Sequence, residues 1–224
     1  AQRGETHAAM PLLESALALE PEHLPTLIEL SRLQFDAERF ADASLLADRI
    51  LAIDATHPSG MLLKGKLQRA LGSPADAVVT LQNAVRSYPR SSFAQLELGL
   101  AYLAVNAPKE AIVCLQKARA LGSEPSEINI LIAGASLAQE DFSGAILEIR
   151  DYLQRNADDL NVWLFLAETY SQKADFPPAL EIYEALAEKH PNQPELAFKI
   201  GLVKLQLRQI ADAYAAFERC YRLS

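Results

Sequence analysis

Small and apolar residues return along this chain with a single period. Ala9, Ala43, Ala77, Ala111, Ala145, Ala179 and Ala213 each stand 34 residues after the last, with no slip. Four residues beyond each lie Leu13, Ala47, Leu81, Leu115, Ile149, Tyr183 and Phe217. Three further on come Ala16, Ile50, Ala84, Ala118, Tyr152, Leu186 and Cys220. Steps of four and three put these positions on one face of a helix. The small residue that opens each set marks a close neighbouring backbone, because a larger side chain there would overpack. A second helix is predicted before each alanine. Its apolar positions are Leu30 and Leu33, then Leu98, Ala101 and Tyr102, Ile132 and Ala135, Leu166 and Tyr170, and Ile200 and Val203. Beside them runs another small column, Ser31, Gly65, Gly99, Ala133, Ala167 and Gly201. Glycine inside a helix costs about 1 kcal/mol relative to alanine, so tight packing between helices is the expected compensation.

Turn chemistry falls between these stretches. Ser73-Pro74-Ala75-Asp76 reads as a serine cap, a proline at the first helical position and an acid at the third, a helix start. Asn106-Ala107-Pro108 and Asp175-Phe176-Pro177-Pro178 occupy the same turn in later repeats, while Pro21, Pro89 and Pro191 share the register that ends the second helix. No run alternates with period two long enough to argue for a sheet. The expected fold class is all-α.

A 34-residue helix–turn–helix unit with these columns resembles the tetratricopeptide repeat (TPR) family. That family carries a small residue at position 8, alanine at 20, aromatic or aliphatic residues at 4, 7, 11, 24 and 27, and proline at 32. With alanine at 20 the repeats span 24–57, 58–91, 92–125, 126–159, 160–193 and 194–224, and residues 6–19 form the second helix of a repeat cut at its start. The fifth repeat matches best, through Trp163, Leu166, Ala167, Tyr170, Ala179, Tyr183 and Pro191. The second departs most, with Met61, Lys64 and Gln68 at usually apolar or aromatic positions. The resemblance covers essentially all of residues 1–224 as a single array. It implies a right-handed α-solenoid of antiparallel helix pairs, a TPR superhelix of about thirteen helices. Both ends fall inside a repeat, so a fragment of a longer array is expected. The final helix, with Tyr214, Phe217 and Tyr221, is expected to be adhesive. Lys64 at a core-type position is expected to weaken the second repeat, and Lys64→Leu to stabilise it by about 1–2 kcal/mol.

Composition narrows the function classes. Half of the 224 residues are hydrophobic, which excludes a disordered chain. The net charge of −8 argues against general binding of nucleic acid or anionic membrane, both of which want a basic surface. No uncharged apolar stretch approaches the roughly 20 residues needed to cross a bilayer, so no membrane insertion is expected. Two cysteines, Cys114 and Cys220, supply neither a disulfide framework nor a four-thiolate zinc site. Cys114 is expected to point outward and Cys220 to be buried. His7, His23, His57 and His190 lack the i+4 partner of a helical zinc pair. Gly60 to Lys66 imitates a phosphate loop, but Leu67 stands where Ser or Thr is required and the stretch lies in a predicted helix. No nucleophile elbow or Cys/His pair occurs. The chain is expected to be no enzyme, with no metal and no cofactor.

The resemblance also implies where a partner would sit. In TPR proteins the first helices line a concave groove, and positions 2, 5, 9, 12 and 13 usually contact the ligand. Position 5 reads Ile28, Leu62, Leu96, Ile130, Leu164 and Phe198, apolar throughout. Phe93, Leu100, Leu103 and Leu137 extend that floor at positions 2, 9 and 12. The alternative is that these side chains are core packing between repeats, and the sequence leaves both open. Chaperone-type carboxylate clamping needs Lys at position 5 and Asn at position 9. This chain lacks both, and its position 9 includes Arg32, Lys66 and Glu168. Arg32, Lys66 and Arg69 would make one end of the groove basic, and Glu127, Glu168 and Glu195 the other acidic, orienting a partner of opposite polarity. The alternative is solvated charge, with Glu29 and Asp36 neutralising the basic residues.

The expected function is a non-catalytic scaffold holding a peptide or protein segment in the concave groove. Alanine-rich repeats suggest a bacterial source, a soluble chain of cytoplasm or periplasm, and a secretion or assembly system. Two alternatives stand beside it. One is the regulatory or targeting arm of an enzyme such as a glycosyl- or sulfotransferase. The other is a self-assembling spacer, with head-to-tail contacts through an uncapped C-terminal helix.

Overall fold

The structure, a computed structural model, describes residues 2–224, with side chains from residue 9 onward except that of Pro125. Among the described residues every regular element is a helix. The order is α1 (Gln2–Leu19), α2 (Leu24–Asp36), α3 (Phe40–Ile53), α4 (Pro58–Ala70), α5 (Pro74–Ser87), α6 (Ser92–Ala104), α7 (Pro108–Ala120), α8 (Pro125–Leu137), α9 (Phe142–Arg155), α10 (Leu160–Gln172), α11 (Phe176–Lys189), α12 (Pro194–Gln206) and α13 (Ile210–Leu223). Consecutive helices pair antiparallel. The chain divides into two compact units, Ala1–Glu124 and Pro125–Ser224.

One turn recurs in every repeat. Glu38, Gly72, Asn106, Glu140, Ala174 and Arg208 stand 34 residues apart and take left-handed φ values of 56–82°. The residue after each donates its N–H five residues back, from Arg39 to the Gln34 carbonyl through to Gln209 and the Lys204 carbonyl, at 2.8–2.9 Å. This closes the first helix with a left-handed cap and releases the chain into the second. Only Gly72 and Asn106 are suited to that backbone by type.

The small columns are explained by what faces them. A methyl group on Gly65 would lie 2.5 Å from Leu81, on Gly99 2.9 Å from Leu115, and on Gly201 2.5 Å from Phe217. In these three repeats position 8 of the first helix therefore receives the position-24 side chain of its own second helix. Of the seven alanines that set the period, Ala43, Ala77, Ala111, Ala145, Ala179 and Ala213 are fully buried at 0 % exposure, and Ala9 is half-buried. In the second unit the core runs through Ile149, Leu166, Tyr183, Leu186, Leu196 and Ile200. The first unit holds smaller clusters, such as Leu27, Leu30, Leu46 and Ile50.

Four expectations change here. Ser73 makes no side-chain cap bond, whereas Ser91, Asp141 and Asp159 accept from first-turn N–H groups. Ser73 sits at φ −113°, ψ 58°, off the extended backbone of Ser91, and its hydroxyl arm is shorter than that of Asp141. Cys114 is buried and Cys220 only half-buried. Cys114 turns back onto Ala77, Leu81, Leu98 and Ala101, and that burial pushes its thiol pKa up. Cys220 lies on α13, the last described helix, whose outer face no described helix covers. Lys64 is not a core residue either: its ammonium reaches Asp48 at 2.7 Å on the neighbouring helix, and 38 % of its side chain stays exposed. Lys64→Leu is accordingly expected to change stability by less than about 0.5 kcal/mol, since an exposed pair contributes little and the added apolar surface stays partly wet. On α13, Tyr214 and Tyr221 are exposed, whereas Phe217 is half-buried and meets the Phe198 ring with centroids 5.7 Å apart.

Candidate protein-binding face

Within each unit the first helices of the repeats present one repeated face, positions 2, 5, 9 and 12, because steps of three and four keep those residues on one side. In the first unit this face belongs to α2, α4 and α6. Ile28, Leu62, Leu96, Leu100 and Leu103 are half-buried along it, and Phe93 stands out at 70 % exposure. The face of α6 is thus apolar at all four positions.

The cations of this face are already engaged. Arg32 donates to Glu29 at 2.5 and 3.1 Å and to Asp36 at 3.0 Å, all within α2. The Arg32 hydrogen bond holds the Glu29 carboxyl below its ordinary pKa, and the guanidinium is raised in return, first by Glu29. Arg69 donates to Glu97 at 3.1 Å, while the Lys66 ammonium lies 3.6 Å from the same carboxylate and 5.1 Å above the Phe35 ring. The structure therefore joins α2, α4 and α6 through Phe35, Lys66, Arg69 and Glu97. Of the two readings the structure shows neutralised charge rather than an open basic patch: Glu29 and Asp36 pair with Arg32 as that alternative expected, and Glu97, which it did not name, pairs with Lys66 and Arg69.

In the second unit the same face is carried by α8, α10 and α12. Ile130, Leu137 and Leu164 are half-buried and Phe198 is exposed. Glu168 accepts from Lys199 at 2.7 Å, tying α10 to α12. A cleft of 380 Å³ opens beside this pair, lined by Glu168, Ser171, Tyr183, Lys199, Leu202 and Gln206. Burial pushes the Tyr183 hydroxyl up to about 12, the hydrogen bond with Ser171 opposing the shift and the Glu168 charge adding to it.

A second surface was not anticipated. Between α9 and α11 runs a cleft of 760 Å³ whose lining includes Arg150, Trp163, Leu166, Tyr170, Ala185 and Lys189. Arg150 lies 6.0 Å from the centre of the Tyr170 ring, and the Trp163 indole donates to the Ala157 carbonyl at 2.7 Å. At the position of Ala185, other repeats place Arg49, which donates to the Pro21 carbonyl at 2.5 Å, and Arg219, which donates to that of Pro191 at 3.0 Å. Ala185 lacks that bridge, but a cleft of 580 Å³ also opens beside Arg219 itself, so no residue exchange at this spacing signals the cleft.

Nothing in these surfaces groups metal ligands: among the described residues no three His, Cys, Asp or Glu side chains could share an ion. His23 hydrogen-bonds Thr26 at 2.7 Å, His57 precedes α4, and the His7 side chain lies outside the described residues. The Gly60–Lys66 stretch lies inside α4. Among the described residues no helix is long and apolar enough to cross a membrane.

Models of the tetratricopeptide repeat match residues 1–67, 62–125 and 136–200. The chain belongs to the tetratricopeptide repeat family. No catalytic family is found beside this TPR match, and among curated proteins nothing matches. Solved TPR structures share its fold. The thermophilic TPR protein TTC0263 of Thermus thermophilus is 24 % identical with a TM-score of 0.61, over 75 % of this chain and 92 % of that one. A TPR protein from Parabacteroides merdae is 15 % identical with a TM-score of 0.67, over 100 % and 88 %. YrrB, described as a TPR protein with an unusual peptide-binding site, is 13 % identical with a TM-score of 0.66, over 80 % and 92 %.

Proposed function

We propose that this TPR chain is a non-catalytic protein-interaction scaffold whose first-helix face takes a peptide or protein segment. The reading rests on the position-5 row. Five of its side chains are half-buried and Phe198 is exposed, so the row keeps apolar surface toward solvent where a core row would have none. Contiguous exposed apolar surface is a mark of interaction sites, and peptide binding by a protein of the same fold, YrrB, supports the assignment. The residues assigned to the face are Ile28, Leu62, Phe93, Leu96, Leu100 and Leu103 in one unit and Ile130, Leu137, Leu164 and Phe198 in the other. Arg32, Lys66, Arg69 and Glu168 are their polar neighbours.

The test is a random peptide library selected against the full chain. Phe93→Asp and, at position 9 of the same face on α12, Leu202→Asp alter exposed positions, so circular dichroism should remain wild-type. Selected peptides are expected to lose at least about tenfold in affinity for one or other variant, the range of an interface anchor. Unchanged affinity for both would overturn the assignment. Tyr214 and Tyr221 on α13, at 71 % and 85 % exposure, favour a second reading, head-to-tail association of copies. Light scattering that finds one mass across a hundredfold concentration range would remove it.

A further inference from the structure

The second helices of the first unit carry an apolar row on the side turned away from the core. Leu45 on α3, Val79 on α5 and Val113 on α7 share position 22 of their repeats and are 66 %, 59 % and 50 % exposed. Position 22 lies two residues beyond the buried alanine at 20, about half a turn round the helix, so its side chain points outward. A single exposed valine or leucine is ordinary. Three at one position of successive repeats make a row, and each valine gives up helix propensity relative to alanine for burial that this chain does not supply.

Charges are ordered about that row. Positions 19 and 26 are seven residues apart, so they lie on the same side of the helix with position 22 between them. On α3 they are Asp42 and Arg49, on α5 Asp76 and Asn83, and on α7 Glu110 and Lys117, all exposed. Arg49 donates to the Pro21 carbonyl, and Asp42 lies 3.4 Å from Arg39. Glu110 and Lys117 have no ion-pair partner among the described residues. The second unit lacks this set. Leu147 on α9 has Gly144 and Asp151 at positions 19 and 26, and position 22 is Glu181 on α11 and Ala215 on α13.

We propose that this face joins two copies of the chain in a weak, symmetric dimer. A two-fold axis laid along the row brings position 22 onto itself, so that Val79 packs on the partner's Val79. The same rotation carries position 19 over position 26 of the same helix in the other copy. Asp42 then meets the partner's Arg49, Asp76 the partner's Asn83 and Glu110 the partner's Lys117, each contact occurring twice, as in any isologous interface. Positions 18 and 25, on the other side of the row, bring no like charges together: they pair Ala41 with Asp48, Ala75 with Gln82 and Lys109 with Gln116. Each helix meets its own copy antiparallel, which sets opposite dipole ends together. The charge pattern thus selects a second copy as the occupant, in one orientation. Three helix ridges are a small face against the roughly 800 Å² per copy of a standard interface. Dissociation on the order of 10–100 µM is therefore expected. The dimer does not depend on any ligand of the first-helix face.

The test is sedimentation equilibrium of the full chain over loading concentrations of about 1–500 µM, with circular dichroism checking that each variant stays helical. The mass is expected to rise from one chain to two and stop there. Val79→Asp sets two carboxylates against each other on the axis and should weaken the dimer at least about tenfold. Glu110→Lys and Lys117→Glu should each weaken it about fivefold, since each turns two attractions into repulsions. The double variant should return to within about threefold of wild type, and an equimolar mixture of the two single variants should dimerise as well as the double. A loss of α7 stability does not give this result, because both exchanges oppose the dipole of α7 and the double variant is the worst of the three for that helix. Tyr214→Asp with Tyr221→Asp, on α13, should leave the dimer unchanged. A single-chain mass at every concentration overturns the proposal. So does a dimer that survives Val79→Asp, a double variant no tighter than either single one, or an association that the α13 pair abolishes.

Discussion

At Gly65 an added methyl would meet Leu81 at 2.5 Å, and Leu81 is fully buried with nowhere to move. Gly65→Ala is therefore expected to destabilise the chain by about 1–3 kcal/mol through overpacking, despite alanine's better helix propensity. At Gly201 the methyl would meet Phe217 equally closely, but that ring is half-buried on α13 and can swing outward. Gly201→Ala should cost less, and the two urea midpoints compared side by side check the ranking. Tyr183 makes a prediction in pH. Its hydroxyl, pushed up to about 12 chiefly by burial, keeps its proton in the fold at pH values where the unfolded chain has lost it. The native state then binds more protons than the unfolded one, so stability falls as pH rises from about 10 towards 12. Tyr183→Phe should flatten that decline in urea midpoints measured at successive pH values. Glu29 works in the opposite sense: lowered by Arg32, it contributes stability above the ordinary carboxylate pKa and loses it as pH falls through its own.

The helices owe their ends to turns that the residue types only partly favour. Ala174, Glu38, Glu140 and Arg208 hold left-handed φ of 59–63° at the same point of their repeats, a conformation that costs a residue with a Cβ about 1–2 kcal/mol. Ala174→Gly removes that strain but loosens the unfolded chain, and the net expectation is a gain of about 0.5–1 kcal/mol in the denaturant midpoint. Gly72→Ala should lose a similar amount. At the other end of the helix, Asp159 accepts from the Asn161 and Val162 N–H groups at 3.1 and 3.2 Å. Asp159→Ala should cost about 1 kcal/mol, the ordinary contribution of an N-cap.

Across the whole chain, stability is expected to be a sum over repeats and their neighbour interfaces rather than one all-or-none term. Trp163 is the sole tryptophan and lies on α10 of the second unit. Its fluorescence reports that unit alone, while far-UV circular dichroism reports every helix. Their urea transitions are expected not to coincide. Coincident curves would show that both units unfold together.

The period, the helix pairs and the buried alanine column could be read from residue spacing, because a strict 34-residue repeat with small residues in fixed places admits few packings. The apolar position-5 row was legible in the same way. Its partial exposure was not, since that depends on how far one first helix shields the next. The charges show the limit most plainly. Glu29 and Asp36 were legible as partners of Arg32 from their spacing of three and four, whereas Glu97, which tertiary contacts bring to Lys66 and Arg69, was not. Cys114 and Cys220 exchanged their expected environments for a similar reason, one turned inward by the preceding repeat and the other left on the last described helix. Sequence determined where helices start, stop and come close. Only the tertiary structure decided which side chains remain unpaired at the surface, because burial and charge pairing depend on neighbours 16 to 31 residues away along the chain.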